Sequence, residues 1–215
     1  MRIPKFIANY DHMTLTLVKF SQLLAICSLL GLAGCSTPQA PLPKAVFDFG
    51  VSKAVATAPN APTAKTAIAL ADIDAPSALD GSAVLYRLAY ADVQQLRPYA
   101  QARWSMPPAQ LLRAQLRDAL GAARPVVAAG EVAGAAVLKI ELIEFAQVFA
   151  NPTQSEGVVR LRATLLQGDK LVAQQVFSAN AAAASQDAAG GVRALTLASG
   201  QATAAVAAWL DTALR

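Results

Sequence analysis

LKIELIEFAQVFANPTQSEGVVRLRATLLQGDKLVAQQVF, residues 138–177, is the stretch whose periodicity decides the fold. Leu138, Ile140 and Leu142 alternate with Lys139 and Glu141, the two-residue period of a strand with one buried and one wet face. The phase slips at Ile143 and Glu144, which predicts a bulge or bend. Val159, Leu161, Ala163 and Leu165 then alternate with Val158, Arg160, Arg162 and Thr164. Gln167-Gly168-Asp169-Lys170 is a hairpin turn signal, and Leu171 to Phe177 supply the returning strand. Three such segments in succession predict an antiparallel meander with one face open to water.

Towards the C-terminus the period changes from two to that of a helix. Leu195, Ala198, Ala202, Val206, Trp209 and Leu210 share one face of a helix from about Asp187 to Leu214, although Gly190, Gly191 and Gly200 argue against its being unbroken. Towards the N-terminus, Pro107 and Pro108 mark the start of a helix reaching about Ala122, with Leu112, Leu116, Ala119 and Leu120 at helical spacing. AVLYRLAY (83–90) reads as a strand followed by a polar turn from Asp92 to Pro98. TAIALADIDAP, with Ile68, Leu70 and Ile73 facing inward, and KAVFDFG, ending at Gly50, read as further strands. Residues 51–65 carry two prolines and read as a loop. The expected architecture is α+β: a single domain, mainly an antiparallel sheet, with two helices packed on one face.

The first residues read as a targeting segment. Arg2, Lys5 and Lys19 precede FSQLLAICSLLGLA, a 14-residue apolar run from Phe20 to Ala33. That length suits a signal peptide and falls short of the ~20 residues needed to cross a bilayer. Met1 and Met13 are both plausible starts. The run ends in Leu32-Ala33-Gly34-Cys35, which looks like a bacterial lipobox. Cleavage between Gly34 and Cys35 and acylation of the Cys35 thiol would leave the protein anchored to a membrane surface, not spanning it. Ser36 at the next position resembles outer-membrane-directed lipoproteins. The expected division is a signal peptide over 1–34, a lipidated Pro-punctuated tether over 35–44, and one domain over 45–215.

Composition narrows the chemistry. The 215 residues are 55% hydrophobic and 15% charged, below the roughly 25% charged residues of an average soluble domain. The one histidine, His12, and one of the two cysteines, Cys27, lie in the leader. A processed chain therefore has no histidine and no thiol free to pair. Ser-His and Cys-His catalysis, Cys/His zinc sites and intramolecular disulfides are all excluded on that reading. No G-x-S-x-G and no phosphate-binding glycine loop occurs. Asp72 with Asp74, and Glu141 with Glu144, are too few for a calcium site, which needs about six oxygen ligands. They read as solvated strand faces. The formal charge of +4 becomes +2 without the leader, and no Lys/Arg cluster accompanies it, so no nucleic-acid partner is expected. Neither a catalytic residue, a metal nor a cofactor is indicated.

Taken in order, KAVFDFG, AVLYRLAYADVQQLRPYAQARWSMPPAQLLRAQL, the 138–177 stretch and the helix bearing Trp209 resemble the ABC-type transport auxiliary lipoproteins, which include the paraquat-inducible protein C-like lipoproteins. The resemblance spans nearly all of residues 45–214 and rests on order and spacing, not on one motif. It implies a non-enzymatic component of a system in which an ABC transporter and an MCE-domain protein move lipids between the two membranes of Gram-negative bacteria. The lipoprotein would sit at the outer membrane on its periplasmic face, with the MCE protein as partner and a homo-oligomer as a further expectation. A lipid-binding carrier, or an envelope-assembly lipoprotein without an ABC partner, is the alternative.

Partner contact has few candidates. Trp104, beside Arg103, either faces a partner or locks the corner between a strand and the Pro-started helix. Tyr86 and Arg87 point to opposite faces, so at most one of them faces a partner. Tyr90 and Tyr99 read as amphipathic rim residues. Arg160 and Arg162, on one wet face, read as an exposed basic pair or as a site for a lipid phosphate or an acidic partner surface.

Overall fold

The structure, a computed structural model, describes residues 43–50 and 65–215. The leader, Gly34 and Cys35, the tether up to residue 42 and all but the last residue of the loop expected over 51–65 lie outside the described residues. Those that are described belong to one compact unit, Pro43–Arg215.

The alternation from Ala136 onward produces the longest strand, β6 (Ala136–Asn151), and around it the rest of the sheet is arranged. Before it in the chain come β1 (Ala45–Phe47), β2 (Ile68–Asp74), β3 (Ala83–Leu88), β4 (Leu96–Trp104), α1 (Pro108–Gly121) and β5 (Val126–Ala128). After it come β7 (Gln154–Gln167), β8 (Lys170–Ala182) and α2 (Ala188–Ala213). β6, β7 and β8 form the antiparallel meander, the last two joined by a two-residue loop. Gly168 fills the first loop position with φ +59°, the left-handed conformation for which a type II′ turn needs glycine.

The opposite edge of β6 is shared by two strands running parallel to it. β2 pairs with its first half and β3 with its second. Between them the chain leaves the sheet through a short 3-10 turn, Ser77–Leu79. β4 lies antiparallel to β3, with β1 parallel on its far side, and β5 lies parallel to β2. The sheet is thus mostly antiparallel, with parallel pairs that the local periodicity did not indicate.

Two local readings change. β4 begins at Leu96, inside the stretch read as a polar turn reaching Pro98. Proline is tolerated there because β1 covers only Ala102–Trp104, so β4 lacks a second neighbour at Pro98. In α2, Gly190, Gly191 and Gly200 do not interrupt the helix, which runs unbroken from its N-cap Asp187. Gly190 and Gly191 mark close approaches instead: a Cβ on either would stand 2.0 Å from Ser185 O or from Gln147 Oε1.

Both helices cover the face carrying Leu138, Ile140, Leu142, Val159, Leu161, Ala163 and Leu165, all buried. α1 contributes Leu111, Leu112, Leu116 and Leu120. α2 contributes Val192, Leu195, Ala198, Ala202, Val206 and Leu210. Burying a leucine of this kind contributes roughly 1.5–3 kcal/mol. Alanine on α2 trades that payload for a close helix–sheet approach. At Gly157 of β7 the two backbones themselves come close, since a Cβ there would lie 2.4 Å from the backbone nitrogen of Leu195.

Candidate functional site

On the helix-free face, the bulge expected near Ile143 is present as a register shift between Leu142 and Glu144. Its effect is to turn Glu144 to the same face as Glu141. Glu141 then stands opposite Arg162, and Glu144 opposite Arg160. Arg162 and Glu141 form an ion pair, and Arg160 approaches Glu144 at 3.8 Å. The two carboxylates and two arginines, read separately as solvated groups, neutralise one another across β6 and β7. The face is consequently not a bare basic patch.

Trp104, at the end of β4, is completely buried. Phe49 and Phe145 meet its ring edge-on, each with centroids 5.6 Å away. Of its two readings the structure therefore selects the locked corner, and the residue leaves no surface for a partner. Its Nε1–H has no acceptor among the described residues, a desolvation cost of about 1–3 kcal/mol. Arg103, beside it, is exposed. Tyr86 is half-buried between Tyr99, with ring centroids 4.6 Å apart, and Phe149.

Tyr90 is exposed and Tyr99 half-buried, but the Tyr99 hydroxyl turns inward. The Tyr99 hydroxyl donates to Gln147 Oε1 at 2.8 Å, and Gln147 Nε2 donates to Ser155 Oγ at 2.7 Å. Burial, followed by the neighbouring Tyr86 and Asp187, pushes the Tyr99 phenol up to about 12. Gln147 is fully buried, and the N-terminal turn of α2 rests on it through Gly191. The Asp187 side chain caps that turn, accepting from Gly190 N–H at 2.7 Å and from the Ser185 hydroxyl at 2.8 Å. The cap bond from Gly190, then the serine, holds the Asp187 carboxyl below its usual range. The network fixes the helix to the sheet; its polar groups are consumed by one another. Sequence reading missed Gln147, although its place between Phe145 and Phe149 at strand spacing is the signal for an inward-facing side chain.

The far end of α2 is tied down differently. Asp211 accepts from Lys65 Nζ at 2.8 Å and from the Arg124 guanidinium, whose side chain is only 4% exposed. The Lys65 bond first, and Arg124 after it, lower the Asp211 carboxyl. Asp72, read beside Asp74 as a solvated carboxylate, is exposed and pairs with Arg113 Nε at 3.0 Å.

The concavity best suited to an apolar guest is a groove of about 820 Å³ between β1 and α2. Val46, Phe47 and Phe49 line one wall and Val192, Leu197 and Ala204 the other, with Arg193 on the helix side. Among the described residues no helix is long and apolar enough to cross a membrane.

Two solved structures share this architecture. A protein from Xanthomonas campestris of known crystal structure matches with a TM-score of 0.60 at 18% identity, covering 70% of this chain and 94% of its own. An uncharacterised protein of known structure matches with a TM-score of 0.62 at 16% identity, covering 78% and 99%. A putative lipoprotein from Caulobacter crescentus matches at 20% identity over 49% of this chain and 79% of its own, with a TM-score of 0.34. No protein of curated function matches the sequence. At such identities the first two of these structural matches speak for the fold alone. The family profile described as the ABC-type transport auxiliary lipoprotein component matches residues 49–207, from the aromatic corner at Phe49 through most of α2, and the chain belongs to that family.

Proposed function

We propose that this chain is the non-enzymatic, lipid-anchored auxiliary component of an ABC-type system that moves lipid between two membranes, with an MCE-domain protein as its partner. The observation that carries the reading is the family match over residues 49–207, downstream of the lipobox-like Leu32-Ala33-Gly34-Cys35. Acylated Cys35 would hold the domain at the periplasmic face of the outer membrane, in keeping with Ser36 after it. The side chains fit contact better than catalysis. The conspicuous polar groups are engaged in the Tyr99–Gln147–Ser155 network, the Asp187 cap and the Arg/Glu pairs.

Two measurements test this reading. Intact-mass analysis of the membrane-extracted chain should show a protein beginning at Cys35 with acyl chains attached; an unmodified Cys35 would remove the anchor. Cross-linking in native membranes, followed by mass spectrometry, should recover an MCE-domain protein in the outer-membrane fraction. Recovery of assembly factors alone would replace the transport reading with one in envelope assembly. The groove between β1 and α2 favours a second reading, a carrier that holds an acyl chain itself. Lipid co-purifying with a Cys35→Ala chain, and lost on Leu197→Asp, would support it.

A further inference from the structure

Strand pairing places the entry of the described chain and one exposed loop at the same end of the sheet. β1 lies parallel to β4, with Ala45 beside Ala102 and Phe47 beside Trp104. The chain therefore enters β1 from the side on which β4 begins, at Leu96. β3 runs antiparallel to β4 and finishes at Leu88, so the loop joining them, residues 89–95, lies at that end. This loop carries Val93, the most exposed large apolar side chain among the described residues at 63%, and Tyr90, at 49%. Exposed apolar residues scattered singly are ordinary; here two stand on one loop. The loop is folded back on its strand. Ala91 and Asp92 N–H donate to Leu88 O at 2.9 and 2.8 Å, Arg87 donates to Val93 O, and Asp92 Oδ1 accepts from Gln94 N–H. Several of its polar groups are thus satisfied internally, which lowers the cost of taking it out of water. Arg87 and Arg97, on the flanking strands, have no carboxylate partner among the described residues. Residues 35–42 and 51–64 contain no Asp or Glu that could supply one.

We propose that the loop joining β3 and β4 rests on the lipid surface to which Cys35 anchors the chain, with Val93 and Tyr90 in the headgroup layer. The proposal rests on the anchored reading above, because acylated Cys35 defines the membrane side. Length permits it. From Ala102 back to Leu96 is about 20 Å of strand, whereas the ten residues from Cys35 to Ala45 extend up to about 33–36 Å. Tyrosine suits a headgroup layer, since its ring is apolar and its hydroxyl polar. Val93 adds apolar area beside it, and Arg87 and Arg97 stand behind both as partners for lipid phosphate. A lipid at Cys35 holds the chain to the surface; this second contact fixes which side of the domain meets it.

The test uses the full acylated chain in vesicles of phosphatidylethanolamine and phosphatidylglycerol. Val93→Cys carries an environment-sensitive fluorophore. Asp169→Cys, in the β7–β8 turn at the opposite end of the sheet, is the control. Iodide quenching at position 93 should fall at least about threefold on reconstitution, as for a group ~5–10 Å into the headgroup boundary, and stay unchanged at 169. Tyr90→Asp in the Val93→Cys chain should restore most of the quenching; Tyr90 is exposed, so circular dichroism should show an unaltered fold. Full quenching at 93, in a sample whose intact mass shows acylated Cys35, overturns the proposal, leaves the anchor standing and turns the loop over to a protein partner. Equal protection at 93 and 169 overturns it as well, because the loop would not be singled out. A chain without acyl groups on Cys35 overturns the anchor and this proposal together.

Discussion

Gly157→Ala tests the claim that α2 is seated on β7 by backbone contact. The added Cβ would lie 2.4 Å from Leu195 N, 2.5 Å from Ala194 C and 2.9 Å from Leu195 Cα. None of these is the end of a flexible side chain, so relief requires the helix to lift from the strand by about 1 Å. A gap of that size forfeits roughly a quarter to a half of the dispersion attraction between facing atoms. The loss falls on Val192, Leu195 and Ala198, which are buried at this contact. We expect destabilisation on the order of 3 kcal/mol, at the upper end of overpacking costs. For a domain of this size each kcal/mol lowers Tm by about 2–4 °C, so the change should be roughly 6–12 °C. Thermal and urea unfolding followed by circular dichroism would read it. Gly121→Ala is the control, because a Cβ there meets nothing within 4 Å and the residue closes α1; it should be neutral or stabilising by up to about 1 kcal/mol. A Gly157→Ala protein within about 0.5 kcal/mol of wild type would refute the close-approach argument.

Trp104→Ala should cost about 3–5 kcal/mol by opening a cavity between Phe49 and Phe145. Trp104→Phe should cost less in urea unfolding, because it also removes the unpartnered indole N–H. Asp187→Ala should destabilise by about 1 kcal/mol through loss of the α2 cap, and Asp187→Asn should retain most of that contribution. Asp211 has a carboxyl lowered in the folded state by Lys65 and Arg124. Its contribution is therefore present above the unfolded value of about 3.9 and lost as pH falls through the folded value. Asp211→Asn should be less stable than wild type at pH 7, and unfolding curves of the two proteins should converge as pH is lowered below about 4.

The meander was legible because each of its strands has one dry and one wet face, and that asymmetry writes a two-residue alternation directly into the chain. The bulge was legible for the same reason, as a slip in phase at Ile143. What the slip accomplishes was not. Setting Glu144 against Arg160 depends on the register of β7, and register is a relation between segments. Gly157 and Gly191 show the same limit. A glycine inside a strand or helix signals a close approach, but only the packed helix says what approaches. Gln147 is recognisable as inward-facing by its position between two phenylalanines, yet its partners, Tyr99 and Ser155, come from β4 and β7.

The amino-acid sequence alone determined the elements with strong period, the Pro-started helix and the helix from about Asp187, and a residue pattern matched by the auxiliary lipoprotein family. These follow from burial and local stereochemistry, which act residue by residue. Only the tertiary structure decided that β2 and β3 share one edge of β6, that Trp104 is core and that Arg160 and Arg162 face Glu144 and Glu141. Those are outcomes of which segments meet, and parallel pairing between strands distant in the chain leaves no local period from which they could be read.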